Sequence, residues 1–366
     1  MKVKEGSKLL LCTHAYPPDS GGIAAFARDI HCMFIEMNWS VRVYKYKYKP
    51  IKNKWGLLRN YYKSILNFYK TVNDESFDVI ISTKIQPYGL ISILLNPFIN
   101  AKVIIQVHGT EIEGRYKKGW RRKLYQFTYN NADQVWANSN NTICRLEKFG
   151  VKPEKIKLLY PFLTNDILSI NREHYKNSAS SIFTIFTAGA LYPRKGIDLV
   201  LKALSNLKEY EWQYIIAGQT LVGYEDYYEE LAKNLGIEER VKFLGQVERK
   251  LVWANMKEAD IFILTSRALP NDIESFGIVF MEALYFGTPC IGTNTGGIPE
   301  AIGEGGILIE NENIDQLNRG LKKMINDKDY RLEISRKGRT RILNDFMMHS
   351  RIQDVIRYLD LSQKVK

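Results

Sequence analysis

Residues 261–292 read IFILTSRALPNDIESFGIVFMEALYFGTPCIG. The first four residues, Ile261–Leu264, form a short apolar run of β type. The last four, Pro289–Gly292, form another. Between them lie a polar loop around 271–277 and an apolar helical stretch over Phe280–Phe286. Two short strands joined through a loop and a helix make a parallel βαβ unit, because a parallel pair needs a crossover that a tight turn cannot supply.

The same alternation runs outward in both directions. Towards the N-terminus, Phe183–Ala188, Tyr214–Ala217 and Val241–Leu244 read as strands. Further back, so do Leu9–Cys12, Val41–Tyr44, Val79–Ser82, Val103–Val107 and Gln134–Ala137. Helical patterns at Gly22–Met37, Gly196–Leu207 and Tyr224–Leu235 fall between them. Strands alternating with helices predict an α/β protein with parallel sheets covered on both faces. Ten strands suit two sheets better than one. The polar stretch Thr164–Ser181, ending in SASS, reads as a linker. The expected domains are therefore 1–165 and 180–344. The last helical segment, about 344–361, is expected to pack back on the first domain with the rest of 345–366.

The 366 residues are enough for two such domains, and 45% hydrophobic residues can fill real cores. Four cysteines (Cys12, Cys32, Cys144, Cys290) are far apart and show no zinc-type spacing, which predicts reduced thiols in a cytosolic protein. The apolar run near the N-terminus is too short for a signal-peptide core. The longest one, Tyr88–Ile99, contains Asn96 and Pro97 and is too short to span a bilayer. A cytoplasmic protein, peripheral on the inner face of the membrane, is expected. Residues 1–165 hold 26 Lys and Arg against 12 Asp and Glu, whereas the remainder holds 26 against 28. A basic half joined to a near-neutral half predicts two domains with different partners, the first preferring an anionic surface or substrate.

Four turns carry candidate chemistry. In THAYPPDSGGIAAF, residues 13–26, Gly21 and Gly22 open a helix after a strand. They serve either packing or the close approach of an anion to free helix-start amides. In QVHGTE, residues 106–111, His108 follows a strand end, where ligands of open α/β sheets bind; it is either a packed histidine or a ligand contact. In YPRKG, residues 192–196, Arg194 and Lys195 precede a helix and are either solvated charges or a diphosphate clamp. In the opening stretch, Glu274 sits in the loop and Glu282 on the following helix. Glu274 can meet sugar hydroxyls, and amides from Phe276 to Val279 can meet phosphate. Glu282, among Val279, Phe280, Met281, Leu284 and Phe286, needs a partner if buried.

From about residue 8 to residue 345 the sequence resembles family 4 of the retaining glycosyltransferases. The strings that carry the resemblance are YPPDSGGIAAF, QVHGTE, PRKGIDLVLKAL, FLGQV and NDIESFGIVFMEALYFGTPCIGTNTGGIPE. Phosphatidylinositol-mannoside mannosyltransferases and bacterial polysaccharide glycosyltransferases look most similar. The resemblance implies a GT-B fold, with two Rossmann-like doubly wound domains facing a central cleft and the nucleotide-sugar donor held mainly by the second. Carried onto this chain, Gly22 approaches the donor phosphates and His108 contacts the donor sugar. Lys195 holds the diphosphate and Glu274 the sugar hydroxyls. The segment Phe276, Gly277 and Ile278 binds phosphate through its amides, Glu282 binds the ribose, and the backbone at Val247 edges the base. The pattern departs at Ala190: relatives often carry Gly-Arg-Leu where this chain has Gly189-Ala190-Leu191. Arg194 is expected to replace that missing arginine.

The expected reaction moves a hexose from GDP-mannose or a UDP-sugar, with retention, to a glycan or lipid-linked acceptor in bacterial cell-surface polysaccharide, lipopolysaccharide or glycolipid synthesis. His108, Glu274 and Lys195 are the expected catalytic residues. No cofactor or metal is expected. The lone Asp-x-Asp, Asp327-Lys328-Asp329, lies in a charged segment and reads as surface. The basic, aromatic stretches 43–63 and 115–123 suit an anionic membrane interface. No nucleic-acid module is recognisable. Rival readings on the same fold are a nucleotide-sugar epimerase or hydrolase, and a non-catalytic nucleotide-sugar-binding protein.

Overall fold

A computed structural model describes residues 6–19, 21–45, 54–112, 119–170, 182–224, 226–270 and 272–360. The chain divides into two compact units. One combines Met1–Thr164 with Met348–Lys366, and the other is Asn165–Met347.

The first unit is built on strands β1 (Lys8–Thr13), β2 (Ser40–Lys45), β3 (Val79–Ser82), β4 (Lys102–Val107), β5 (Gln134–Ala137) and β6 (Ile156–Leu158). They form one parallel sheet in the order β2-β1-β3-β4-β5-β6. Successive side chains of a strand point to opposite faces, so a sheet covered on both sides needs apolar residues throughout. Leu9 and Leu11 pack with Phe26, Ile30 and Met33 of helix Gly22–Glu36, and with Val355 and Leu359 of helix Met348–Leu359. On the other face, Leu10 and Cys12 pack with Phe68 of helix Lys54–Asp74. Helix Met348–Leu359 is also tied by polar contacts, since Gln134 Nε2 donates to Tyr358 O at 2.5 Å and Tyr358 Oη to Leu158 O at 2.7 Å.

The second unit holds strands β7 (Phe183–Ala188), β8 (Trp212–Ala217), β9 (Val241–Phe243), β10 (Ile261–Leu264), β11 (Cys290–Thr293) and β12 (Gly306–Ile309). This sheet is also parallel, in the order β12-β11-β10-β7-β8-β9. The chain runs from β7 outward to β9, then returns to the other side of β7 at β10. The connections after β7 and β10 therefore leave in opposite directions, and a crevice opens between their carboxyl ends, the topological switch point.

Each sheet has one strand more than the sequence reading gave. Strand β6 has three residues, IKL, on the outer edge of its sheet, and β12 is likewise an edge strand, GILI, behind a Gly-Gly turn. Short edge strands bury little surface, so their apolar signal is weak. The start of the supposed linker is also structured: Asn165–Ser169 form a 3₁₀ turn that buries Ile167, while 171–181 lie outside the described residues. Helix Ile278–Tyr285 is buried from Phe280 to Tyr285, which explains its near-continuous apolar sequence.

Candidate functional site

Strand β7 ends at Ala188, and residues 189–196 form the turn to helix Ile197–Ser205. Pro193–Lys195 make a 3₁₀ turn, which Gly196 closes with φ of 69°. A Cβ at Gly196 would stand 2.1 Å from the carbonyl oxygen of Thr265. Only glycine allows the turn after β7 to touch the strand end of β10 so closely. Thr265 Oγ1 then donates to Gly196 O at 2.8 Å.

Arg267 locks the two connections together. Its main-chain N–H donates to Arg194 O at 2.6 Å, and its guanidinium holds Asp198 by two bonds of 2.8 Å. The same guanidinium donates to Pro193 O at 2.5 Å and to Glu312 at 2.9 Å. A bidentate Arg–carboxylate pair fixes direction as well as distance.

On that frame, Arg194 and Lys195 converge on Glu274. Arg194 Nη1 lies 2.9 Å and Lys195 Nζ 2.6 Å from the same oxygen, Oε2. Arg194 also stacks on Tyr192, donates to its hydroxyl at 2.7 Å, and pairs with Asp272 at 3.0 Å. Burial by itself would raise the Glu274 carboxyl; Lys195 and then Arg194 outweigh it and hold the group at about 2. Glu274 is thus a carboxylate at neutral pH, able to accept from hydroxyls. Next to it, Gly277 (φ 93°) caps helix Ile278–Tyr285; the Phe280 N–H donates to Gly277 O at 3.0 Å, and the amides before it precede the helix's own hydrogen-bond ladder. Phe276 is buried against Phe346, their ring centres 5.9 Å apart.

Glu282 is 4% exposed, and its partner is Arg249. Arg249 Nη2 and Nε lie 2.5 and 3.0 Å from Glu282 Oε1, and the guanidinium rests over Trp253. The apolar surroundings of Glu282 in the sequence demand a cation; nothing in the spacing names Arg249. Nor does it name Arg267, whose partner Asp198 is 69 residues away.

Beyond β8 and β9 lies a groove of about 300 Å³, lined among others by Leu191, Gly218, Tyr228 and Gly245. The hydroxyl of Tyr228 is buried there with no hydrogen-bond partner among the described residues. Val247 follows Gly245 but does not line the groove. Asp327, the first residue of the Asp-x-Asp, accepts from the N–H of Tyr330 at 2.9 Å and caps helix Lys328–Asp345.

In the first unit, His108 follows β4. Its Nε2 is buried with no hydrogen-bond partner among the described residues, and its ring meets Phe26 edge-on at 5.4 Å. Burial first, then Lys84 and His14, lower its pKa to about 3, so the ring is neutral. The His108 N–H donates to Glu111 Oε2 at 3.2 Å. Gly22 is the first residue of its helix, and a Cβ there would meet nothing within 4 Å. The space at Gly22 is open to a ligand, and no contact among the described residues requires glycine there. Within the second unit the structure joins Arg194, Lys195 and Glu274 directly; within the first it joins His108 to the helix that Gly22 begins.

Doubly wound parallel sheets, with cations, a carboxylate and helix-start amides at a strand-order switch, define a Rossmann-like α/β class suited to phosphate-bearing ligands. The family model described as glycosyl transferases group 1 matches residues 171–341, and that described as glycosyltransferase family 4 matches residues 4–164. The chain belongs to this glycosyltransferase family, in its GT-B form. It is 24% identical, over 92% of its length and 93% of the relative's, to a GDP-mannose-dependent monoacylated alpha-(1-6)-phosphatidylinositol monomannoside mannosyltransferase of Corynebacterium glutamicum. Among solved structures, Anabaena HepE in complex with UDP and glucose matches with a TM-score of 0.74 at 20% identity, over 97% of this chain and 99% of that one. Sucrose-phosphate synthase from Thermosynechococcus elongatus matches with a TM-score of 0.77 at 18% identity, over 96% and 98%.

Proposed function

We propose that this glycosyltransferase transfers a hexose, with retention, from a nucleotide-diphosphate sugar to a glycan or lipid-linked acceptor of bacterial cell-surface polysaccharide or glycolipid synthesis. The observation that carries the donor assignment is the meeting of Arg194, Lys195 and Glu274 at the switch point of the second sheet. Lys195 and Arg194 stabilise the departing diphosphate, with the amides of Gly277 and Ile278. Arg194 does this in place of the arginine that Ala190 lacks. Glu274 accepts from sugar hydroxyls, and Glu282 with Arg249 faces the ribose. The backbone about Val247 edges the base. Gly22 and His108 are assigned to the donor phosphates and sugar on the resemblance alone.

In the proposed step the bond between the anomeric carbon and the phosphate oxygen breaks as the acceptor oxygen attacks from the same face. The acceptor proton passes to the departing phosphate oxygen. Positioning and electrostatics supply the rate, so no metal is needed. GDP-mannose is the favoured donor because the corynebacterial relative is named for it; UDP-sugars are the alternative, since HepE was solved with UDP.

The proposed acceptor side includes an anionic membrane surface. Among the described residues no helix is long and apolar enough to cross a membrane. Tyr62, Leu66 and Tyr69 are exposed at helical spacing on helix Lys54–Asp74, beside Lys63 and Lys70. Trp120 is exposed under the guanidinium of Arg121. Residues 46–53 and 115–118 of the two basic stretches lie outside the described residues.

Thermal-shift measurements with GDP-mannose, UDP-glucose, UDP-N-acetylglucosamine, UDP-galactose and the free nucleotides, in EDTA, test the donor assignment. A selective rise with one nucleotide class is the expected result. No shift with any of them would overturn it.

A further inference from the structure

The second unit carries another groove, at the opposite end of its strands. Its volume is about 590 Å³, and it is bounded by the end of helix Arg249–Glu258, the turn after helix Ile278–Tyr285 and one face of helix Lys328–Asp345. Ala259, Asp260 and Pro289 line it, residues that precede β10 and β11. It therefore lies at the amino ends of the strands, whereas Lys195 and Glu274 lie beyond the carboxyl ends. A length of strand separates the two places, and one small ligand cannot serve both.

The lining is chemically one-sided. Lys257, Lys328, Arg331, Arg336 and Arg339 contribute five cations, against the single carboxylate of Asp260. That carboxylate already accepts the N–H of Thr184 at 2.7 Å. The bias is local, because residues 165–347 carry only 22 Lys and Arg against 26 Asp and Glu. Arg331 is occupied: it donates to the carbonyls of Met324 and Ile325 and stacks on Phe183. Arg339 is not. Its Nε is buried and has no hydrogen-bond partner among the described residues. A buried guanidinium N–H without an acceptor is costly, and proteins rarely keep one without a use. The volume suits a small molecule.

We propose that this groove is a second ligand site, which takes a phosphate-bearing anion through Arg336 and Arg339. Such a phosphate can belong to a free small molecule or to a lipid headgroup, and the fork of an arginine suits either. This proposal is independent of the donor assignment.

Inorganic pyrophosphate titrated calorimetrically into the full chain is the test. Lys195→Ala serves as the background, which weakens the donor-site clamp and leaves this groove intact. Binding is expected in that background, and affinity is expected to fall about tenfold or more when Arg336→Gln and Arg339→Gln are added. Neither side chain is placed in the proposed donor site, and circular dichroism checks that the fold survives. Flotation with phosphatidic acid and phosphatidylcholine vesicles is run on the same proteins. A loss of phosphatidic acid binding in the Arg336/Arg339 variant assigns a headgroup. Unchanged flotation together with weakened pyrophosphate binding assigns a free anion. Pyrophosphate and vesicle binding that both ignore the two substitutions would overturn the proposal.

Discussion

Lys195 Nζ and Glu274 Oε2 stand 2.6 Å apart although 79 residues separate them in the chain. The sheet order produces this contact. Strand β10 returns beside β7, so the turn that ends in Lys195 and the loop that carries Glu274 open from adjacent strand ends. The result is a carboxylate held ionised by two cations that keep their remaining donors for a ligand.

Lys195→Ala is expected to lower donor turnover by well over ~tenfold, since each ~1.4 kcal/mol of lost transition-state stabilisation is a factor of ten. Steady-state kinetics with the donor identified by thermal shift check this. A diphosphate clamp predicts a loss in kcat as well as in kcat/KM. Near-normal kcat would remove Lys195 from the clamp.

Gly196→Ala tests the frame rather than the clamp. The added Cβ faces Thr265 O at 2.1 Å on a backbone with φ of 69°. Left-handed backbone and the clash together should cost about 3 kcal/mol of stability. Urea denaturation measures the stability loss. Donor affinity should fall with it, because moving this turn moves Arg194 and Lys195. A variant as stable as the parent would mean that the two connections are not locked.

Much of this site is legible in the sequence. The strand-to-helix turns at 192–196 and 271–278, and the charged residues on them, follow from apolar runs broken by Gly, Pro and charge. What stayed hidden depends on contacts between distant segments. Arg267 lies on the connection after β10 and Asp198 in the first turn of the helix that follows β7, and only the pairing of β7 with β10 brings them together. The partner of Glu282 was demanded by burial and left unnamed by sequence, because many cations could have filled that place. The edge strands β6 and β12 were missed because three or four residues on a sheet margin give little periodicity to read.

Arg249→Met is expected to destabilise the second unit by about 3 kcal/mol, because it leaves the Glu282 carboxylate buried without its cation. Adding Glu282→Gln should recover a large part of that loss, since the uncompensated charge is then gone. A double-mutant cycle in urea measures the coupling. Additive losses would show that the pair is not coupled.

Acid should weaken the protein through two groups of opposite chemistry. Glu274 is held at about 2 in the folded state, below its ordinary 4.5. A depressed carboxyl contributes stability that is present above its unfolded pKa and lost as pH falls through the folded one, here from about 4.5 to about 2. His108 is lowered from 6.5 to about 3 by burial, Lys84 and His14. The unfolded chain then takes up its proton first as pH falls below 6.5, so its share of stability drains away between 6.5 and 3. Unfolding free energy measured at stepped pH should therefore decline continuously from pH 6.5 downward. The slope attributable to His108, at most ~1.4 kcal/mol per pH unit, should vanish in His108→Gln, and the lower window should flatten in Glu274→Gln. The imidazole NMR signals of His108 give the direct check. They should stay those of a neutral ring from pH 8 down to about pH 4. A titration centred near 6.5 would show that the ring is solvated rather than buried, and would end its assignment as a neutral group facing the sugar.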